Sequence, residues 1–163
     1  MRSSGASRTV LPMTTARIDL TLDAGDAQLL AVFWKSALGY VDLPPPPPFA
    51  TREEWLAQFE LPEGETVDDG AWLCDPDGVG PRLAILKVPE PKTAKNRLHI
   101  DVRIPGHGTP AERWDRVRAE AARLVAAGGS VLAEVDEHHV VMADPEGNEF
   151  CVAAAGAPTP AAA

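Results

Sequence analysis

The chain writes one pattern twice, and a duplicated pattern limits the fold more than any single residue does. RIDLTLD from Arg17 and RLHIDVR from Arg97 both alternate apolar and polar residues with period two, as half-buried strands do. Ile18, Leu20 and Leu22 form the apolar row of the first, and Leu98, Ile100, Val102 and Ile104 that of the second. The opposite faces carry Arg17, Asp19, Thr21 and Asp23 in one copy and Arg97, His99, Asp101 and Arg103 in the other. Each strand leads into a helix that ends at glycine. The first is expected from an Asp26 cap through Leu29, Leu30, Phe33, Trp34, Ala37 and Leu38 to Gly39. The second has Thr109 as cap, Pro110 in the first position and Glu112 to close a capping box. Its inward stripe is Trp114, Val117, Ala121, Leu124 and Val125, before Gly128. Each copy then has a turn of the same chemistry, Asp75-Pro76-Asp77-Gly78 and Asp144-Pro145-Glu146-Gly147, expected to join two short strands.

The unit is therefore strand, helix, then two or three strands, and two such units in 163 residues make one α+β domain. The domain is expected over 15–153, with module one at 15–90 and module two at 91–153. Residues 1–14 read as an extension outside the fold, with Met13 an alternative start, and 154–163 as a patternless Ala/Pro tail. Module one carries an insertion at about 43–62. There Pro44 to Pro48 form a stiff run, and Thr51 with Glu54 boxes the start of a short helix holding Trp55, Leu56 and Phe59. The insertion reads as a spacer, a docking site for an aromatic-lined partner, or a lid over a cleft.

Composition narrows the partners. Fifteen Lys and Arg against 24 Asp and Glu give a net charge of −9, and the arginines from Arg113 to Arg123 alternate with Glu112, Asp115 and Glu120. No basic stripe exists for nucleic acid. No stretch approaches the ~18 uncharged apolar residues of a membrane span, and the N-terminus has no apolar core of a secretory signal. Cys74 and Cys151 stand far apart with no CxxC spacing, which suits a reducing cytoplasm. Two half-sheets with polar faces that cannot enter a helix-packed core are expected to turn those faces toward a shared cleft.

Three segments carry a family resemblance: FWKSALGY (Phe33 to Tyr40), PKTAKNRLHID (Pro91 to Asp101) and ADPEGNEFCV (Ala143 to Val152). Together they resemble the glyoxalase-like branch of the vicinal oxygen chelate superfamily, over nearly all of residues 16–153. That superfamily includes glyoxalase I, extradiol dioxygenases, methylmalonyl-CoA epimerase, and the bleomycin and fosfomycin resistance proteins. The resemblance implies two βαβββ modules forming an open, barrel-like sheet around a cleft. It also implies a small organic ligand there, lyase, isomerase or dioxygenase chemistry left unassigned, or else metal-free sequestration of an antibiotic. Superfamily enzymes commonly hold one divalent metal on the first and last strands of each module. Carried across, those positions fall on Asp19, His99 and Cys151, while Pro81 to Val88 offers no ligand at all. Zn, Ni, Mn or Fe is the metal implied, and a thiolate in the set shifts the preference toward zinc. Because three positions hold mismatched ligand types and the fourth is empty, the expected site is metal-free, with His99 hydrogen-bonded to Asp19 and Cys151 a small buried hydrophobe.

The candidate catalytic set is His99, Asp19 and Glu149, because an imidazole facing a carboxylate is a reasonable general base. The same groups read equally as a salt-bridged structural network. Candidate ligand-binding residues are Arg97, Asp101 and Arg103 on the polar face, with Trp55 and Trp72 lining the cleft. Lys95, Asn96 and Arg97 are expected either to meet an anion or to join the two modules. His138 and His139 read as surface or edge residues, since strand neighbours face opposite ways. Free sheet edges make a homodimer the expected assembly.

Overall fold

The first strand begins where its partner allows. In the structure, a computed structural model that describes residues 17–60, 63, 64, 66–135 and 137–156, β1 (Asp19–Ala24) pairs in parallel with β4 (Arg82–Lys87). The pairing runs from Asp19 opposite Arg82 to Ala24 opposite Lys87. The residue before Arg82 is Pro81, which has no N–H to extend the ladder. Ile18 therefore lies outside the strand, 70% exposed, and the inward row is Leu20, Leu22 and Ala24. The expected N-terminal extension, and the tail beyond residue 156, lie outside the described residues.

Helix α1 (Ala27–Leu38) starts at Asp26, whose side chain accepts from the amides of Gln28 and Leu29. It stops at Gly39, where φ of 69° places the chain in the left-handed region that glycine occupies without a Cβ clash. Its buried row is Leu30, Phe33, Trp34 and Ala37; Leu29 sits a quarter-turn off this row and is exposed, contrary to the expected stripe. The chain continues through β2 (Val41–Asp42), the insertion with α2 (Arg52–Leu56), a 3-10 turn at Val67–Asp69, β3 (Gly70–Cys74) and β4. Thr51 and Glu54 form the expected capping box on α2. The sheet order is β1-β4-β3-β2.

Module two repeats this plan. β5 (Asp101–Ile104), α3 (Pro110–Ala126), β6 (Ser130–Val135), β7 (His139–Ala143) and β8 (Glu149–Ala154) form a second four-stranded sheet in the order β5-β8-β7-β6. In both sheets the first strand runs parallel to the last and the other pairs are antiparallel. The Thr109–Glu112 box and Pro110 start α3, and Val117, Ala121 and Leu124 are its buried row. Trp114 is half-buried against the core, while Val125 is exposed rather than inward. β5 is shorter than its alternation predicts. It starts at Asp101, so Arg97 to Ile100 are irregular, and Leu98 is 63% exposed. The fold is α+β, two βαβββ modules making open sheets with no closed barrel.

The modules share one core on the helical side. Phe33 and Trp34 of α1 meet Phe150 of β8 edge to face, with ring centroids 5.7 and 5.3 Å apart, and all three are almost wholly buried. Behind them Gly129 leaves no room for a side chain: a Cβ there would lie 3.0 Å from the Phe33 ring and 3.1 Å from the Ala143 carbonyl oxygen. The sheet faces opposite the helix-packed core carry Asp19, Thr21, Asp23 and Trp72 in module one and Asp101, Arg103, Glu149 and Cys151 in module two.

Candidate ligand site at the junction of the modules

The turn after β7 does more than reverse the chain. Asp144 is 3% exposed and accepts from the amides of Glu146 and Asn148, from the Asn148 side-chain amide, and from the Trp34 indole N–H at 3.2 Å. The next acidic residue, Glu146, reaches across to module one and accepts from the amides of Gly25 and Asp26 at 2.7 and 2.6 Å. A carboxylate at the start of α1 meets unpaired N–H groups and the positive end of the helix dipole, both favourable. Module one's turn lacks this reach. Asp75 accepts from Asp77, Val79 and Gly80 of its own loop.

A second tie comes from Glu149, the first residue of β8. Its carboxylate accepts from the Asn96 amide at 3.0 Å and pairs with Lys92 at 3.0 Å, so the linker between modules is bound to the strand it precedes in space. These contacts, the Asn96 N–H first and the Lys92 ammonium next, pull the Glu149 carboxyl down to about 2 from its ordinary 4.5. Stability from this tie is complete above the ordinary value and is lost as pH falls from about 4.5 to about 2. Urea unfolding at stepped pH should show a flatter acid limb in Glu149→Gln than in the parent. Equal slopes in both proteins would mean that the tie does not stabilise the fold.

Between these two ties lies a cavity of ≈ 870 Å³. Its floor is apolar, made by Leu20 and Leu22 of β1, Leu83 of β4, Trp34 of α1 and Ile100. Its rim is the linker from Val88 to Lys92, then Asn96, Arg97 and Leu98, facing Thr21, Asp23, Glu146 and Glu149. The volume falls in the usual range for small-molecule sites, about 300–1,000 Å³.

The residues expected at the site separate into groups. Arg97 and Glu149 line the cavity. Asn96 serves as the joint between modules that the sequence offered as one of its two roles. Asp19 lies at the exposed start of β1, opposite Arg82. His99 lies in the irregular run before β5 and is exposed, outside the cavity lining. No hydrogen bond joins His99 to Asp19 among the described residues. Asp101 and Arg103 pair with each other at 2.7 Å on the outer face of β5. Cys151 sits opposite Asp101, and burial first, then the Asp101 carboxylate, pushes its thiol above the ordinary range. Both cysteines are free thiols. His138 and His139 are half-buried and meet nitrogen to nitrogen at 3.1 Å between the two Nδ1 atoms, because His138 lies in the turn and only His139 in β7.

Trp55 and Trp72 form a different cluster. The Arg52 guanidinium lies 4.5 Å over the Trp72 ring and 5.6 Å from the Trp55 ring, and its Nη2 donates to the Leu43 carbonyl at 3.0 Å. The insertion is thus seated on the outer face of the first sheet, with Arg52 as its pin. Arg52 was not marked in the sequence, because only Trp55 is a local partner and the closer contacts, Trp72 and the Leu43 carbonyl, come from β3 and from the loop after β2. Asp144 and Glu146 were missed for a related reason: a turn motif explains their presence without any distant partner. The available signal was Trp34, since a core indole requires an acceptor.

Among the described residues no three His, Cys, Asp or Glu side chains form a group able to hold a metal ion. Asp19, His99 and Cys151 therefore do not make one ligand set among the described residues. These residues do not fit the divalent ion that the resemblance implies. No helix among the described residues is long and apolar enough to cross a membrane.

The family model described as glyoxalase-like domain matches residues 19–153. No curated protein matches the chain. A glyoxalase-related enzyme from Fulvimarina pelagi is similar in structure at 18% identity and a TM-score of 0.53, covering 93% of this chain and 100% of that one. The fosfomycin resistance protein FosX from Mesorhizobium loti is similar at 13% identity and a TM-score of 0.55, covering 86% of this chain and 92% of that one. A mutant FosX from Listeria monocytogenes, complexed with Mn(II) and dihydroxypropylphosphonic acid, is similar at 12% identity and a TM-score of 0.54, covering 87% and 91%.

Proposed function

Because the chain belongs to the glyoxalase-like domain family of the vicinal oxygen chelate superfamily, and because its modules enclose a cavity between them, we propose that it binds a small organic molecule at that junction. The observation that carries the reading is the pairing of an apolar floor, made by Leu20, Leu22, Trp34, Leu83 and Ile100, with a charged rim. Apolar surface supplies affinity and a few placed polar groups supply orientation. No step through a metal is part of this reading, since the donor set does not fit one. Association of two copies through free sheet edges remains part of the proposal, and light scattering that returns the mass of one chain would remove it.

Leu98 offers a clean test, because it lines the cavity yet is 63% exposed, so a larger residue there closes the mouth without disturbing the core. In a thermal-shift screen with small apolar acids, amines and amides, compounds that raise Tm of the parent should lose about tenfold or more in affinity for Leu98→Trp. Hits that stabilise both proteins equally bind elsewhere, and the junction would not be the site.

A further inference from the structure

We propose that the junction cavity takes a small zwitterion with an apolar body, the chemistry of an apolar α-amino acid. This rests on the cavity being the binding site and specifies what it selects. Several charged and polar groups on the lining are already committed. Glu146 is satisfied by the amides of Gly25 and Asp26, one to each oxygen. Glu149 is held by Asn96 and Lys92, and Lys92 also donates to the Ala94 carbonyl. The Asn148 side chain is spent on Asp144. Three charged groups on the lining are left: Arg97, Asp23 and Glu90. Among the described residues none of the three makes a hydrogen bond or an ion pair, and Arg97 pairs with neither carboxylate.

Opposite charges that face one apolar cavity without meeting each other select a ligand carrying both signs. A lone anion would gain Arg97 but enter the field of Asp23 and Glu90, and a lone cation would meet the reverse arrangement. A charge brought toward an apolar floor needs a partner to offset its lost hydration. A zwitterion brings a partner for each rim charge, and its apolar body covers the leucine and tryptophan floor. A carboxylate also suits the planar fork of a guanidinium better than any neutral acceptor does.

Four compounds of one shape test the claim by calorimetric titration: L-phenylalanine, 3-phenylpropanoate, 2-phenylethylamine and the neutral 3-phenylpropanamide. Phenylalanine should bind the parent about tenfold or more tighter than either singly charged compound. Arg97→Gln should erase its advantage over the amine, and Asp23→Asn with Glu90→Gln its advantage over the acid. All three positions are exposed, so these variants retain the fold. If the neutral or a singly charged compound binds as well as phenylalanine, and that binding is lost in Leu98→Trp, the zwitterion claim fails while the junction site stands. If no compound binds the parent, or binding survives Leu98→Trp, the zwitterion claim fails, and the junction site is then decided by the thermal-shift screen with Leu98→Trp.

Discussion

Asp144→Ala should cost about 3–5 kcal/mol of folding stability, because it strips the acceptor from donors that stay buried. Among the described residues the Trp34 indole N–H has no other partner, and the Asn148 side-chain amide, itself 7% exposed, loses both of its bonds to Asp144. Trp34 and Asn148 are 1% and 7% exposed, so most of the desolvation cost stands. Urea unfolding would read the loss directly, and a melting shift of roughly 6–20 °C should accompany it for a domain of this size. Asp144→Asn keeps one acceptor oxygen and should lose less. A change in Asp144→Ala below about 1 kcal/mol would mean that the indole and the amide are not held as described.

Phe150→Ala is the second large effect, at about 3–5 kcal/mol. The ring lies between Phe33 and Trp34 in edge-to-face contact, and those two also meet edge to face at 5.6 Å. Removing it opens a void where the modules join, and α1 cannot collapse inward without breaking the Trp34–Asp144 hydrogen bond. The effects of Phe150→Ala and Asp144→Ala should therefore not add, since both act through Trp34, and a double-mutant cycle by urea unfolding would expose the coupling. Additive losses would show that the aromatic cluster and the buried carboxylate are independent. Trp34 also lines the cavity, so either substitution should weaken any ligand bound there.

What could be read from the sequence was local. Asp26, Thr51 and Thr109 act as caps in the structure, because cap chemistry needs only three or four neighbouring residues. The repeat and the two turns were legible for the same reason. Strand ends were not. Ile18 alternates as well as Leu20 does, but Pro81 ends its partner, and Arg97 to His99 lie outside β5, with Asn96 held by Glu149 and Ile100 keeping one carbonyl bond to the Cys151 amide. These are properties of pairing, which alternation in one strand does not record. The site followed the same rule. The polar rows were recognised, and Arg97 and Glu149 with them, but the cavity floor read as plain core. His99 drew attention through its chemistry, whereas its place in the fold depends on where β5 begins.

The two acidic turns began as equivalents and now serve unlike purposes. Val79, beside the first, is 89% exposed, and among the described residues the amides of Asp77, Gly78 and Val79 donate only to Asp75. A reporter peptide spliced at that tip would leave the rest of the molecule unaware of it, while the same graft between Pro145 and Gly147 would pry the halves apart. The first turn, tied only to its own loop, is the natural handle for engineering.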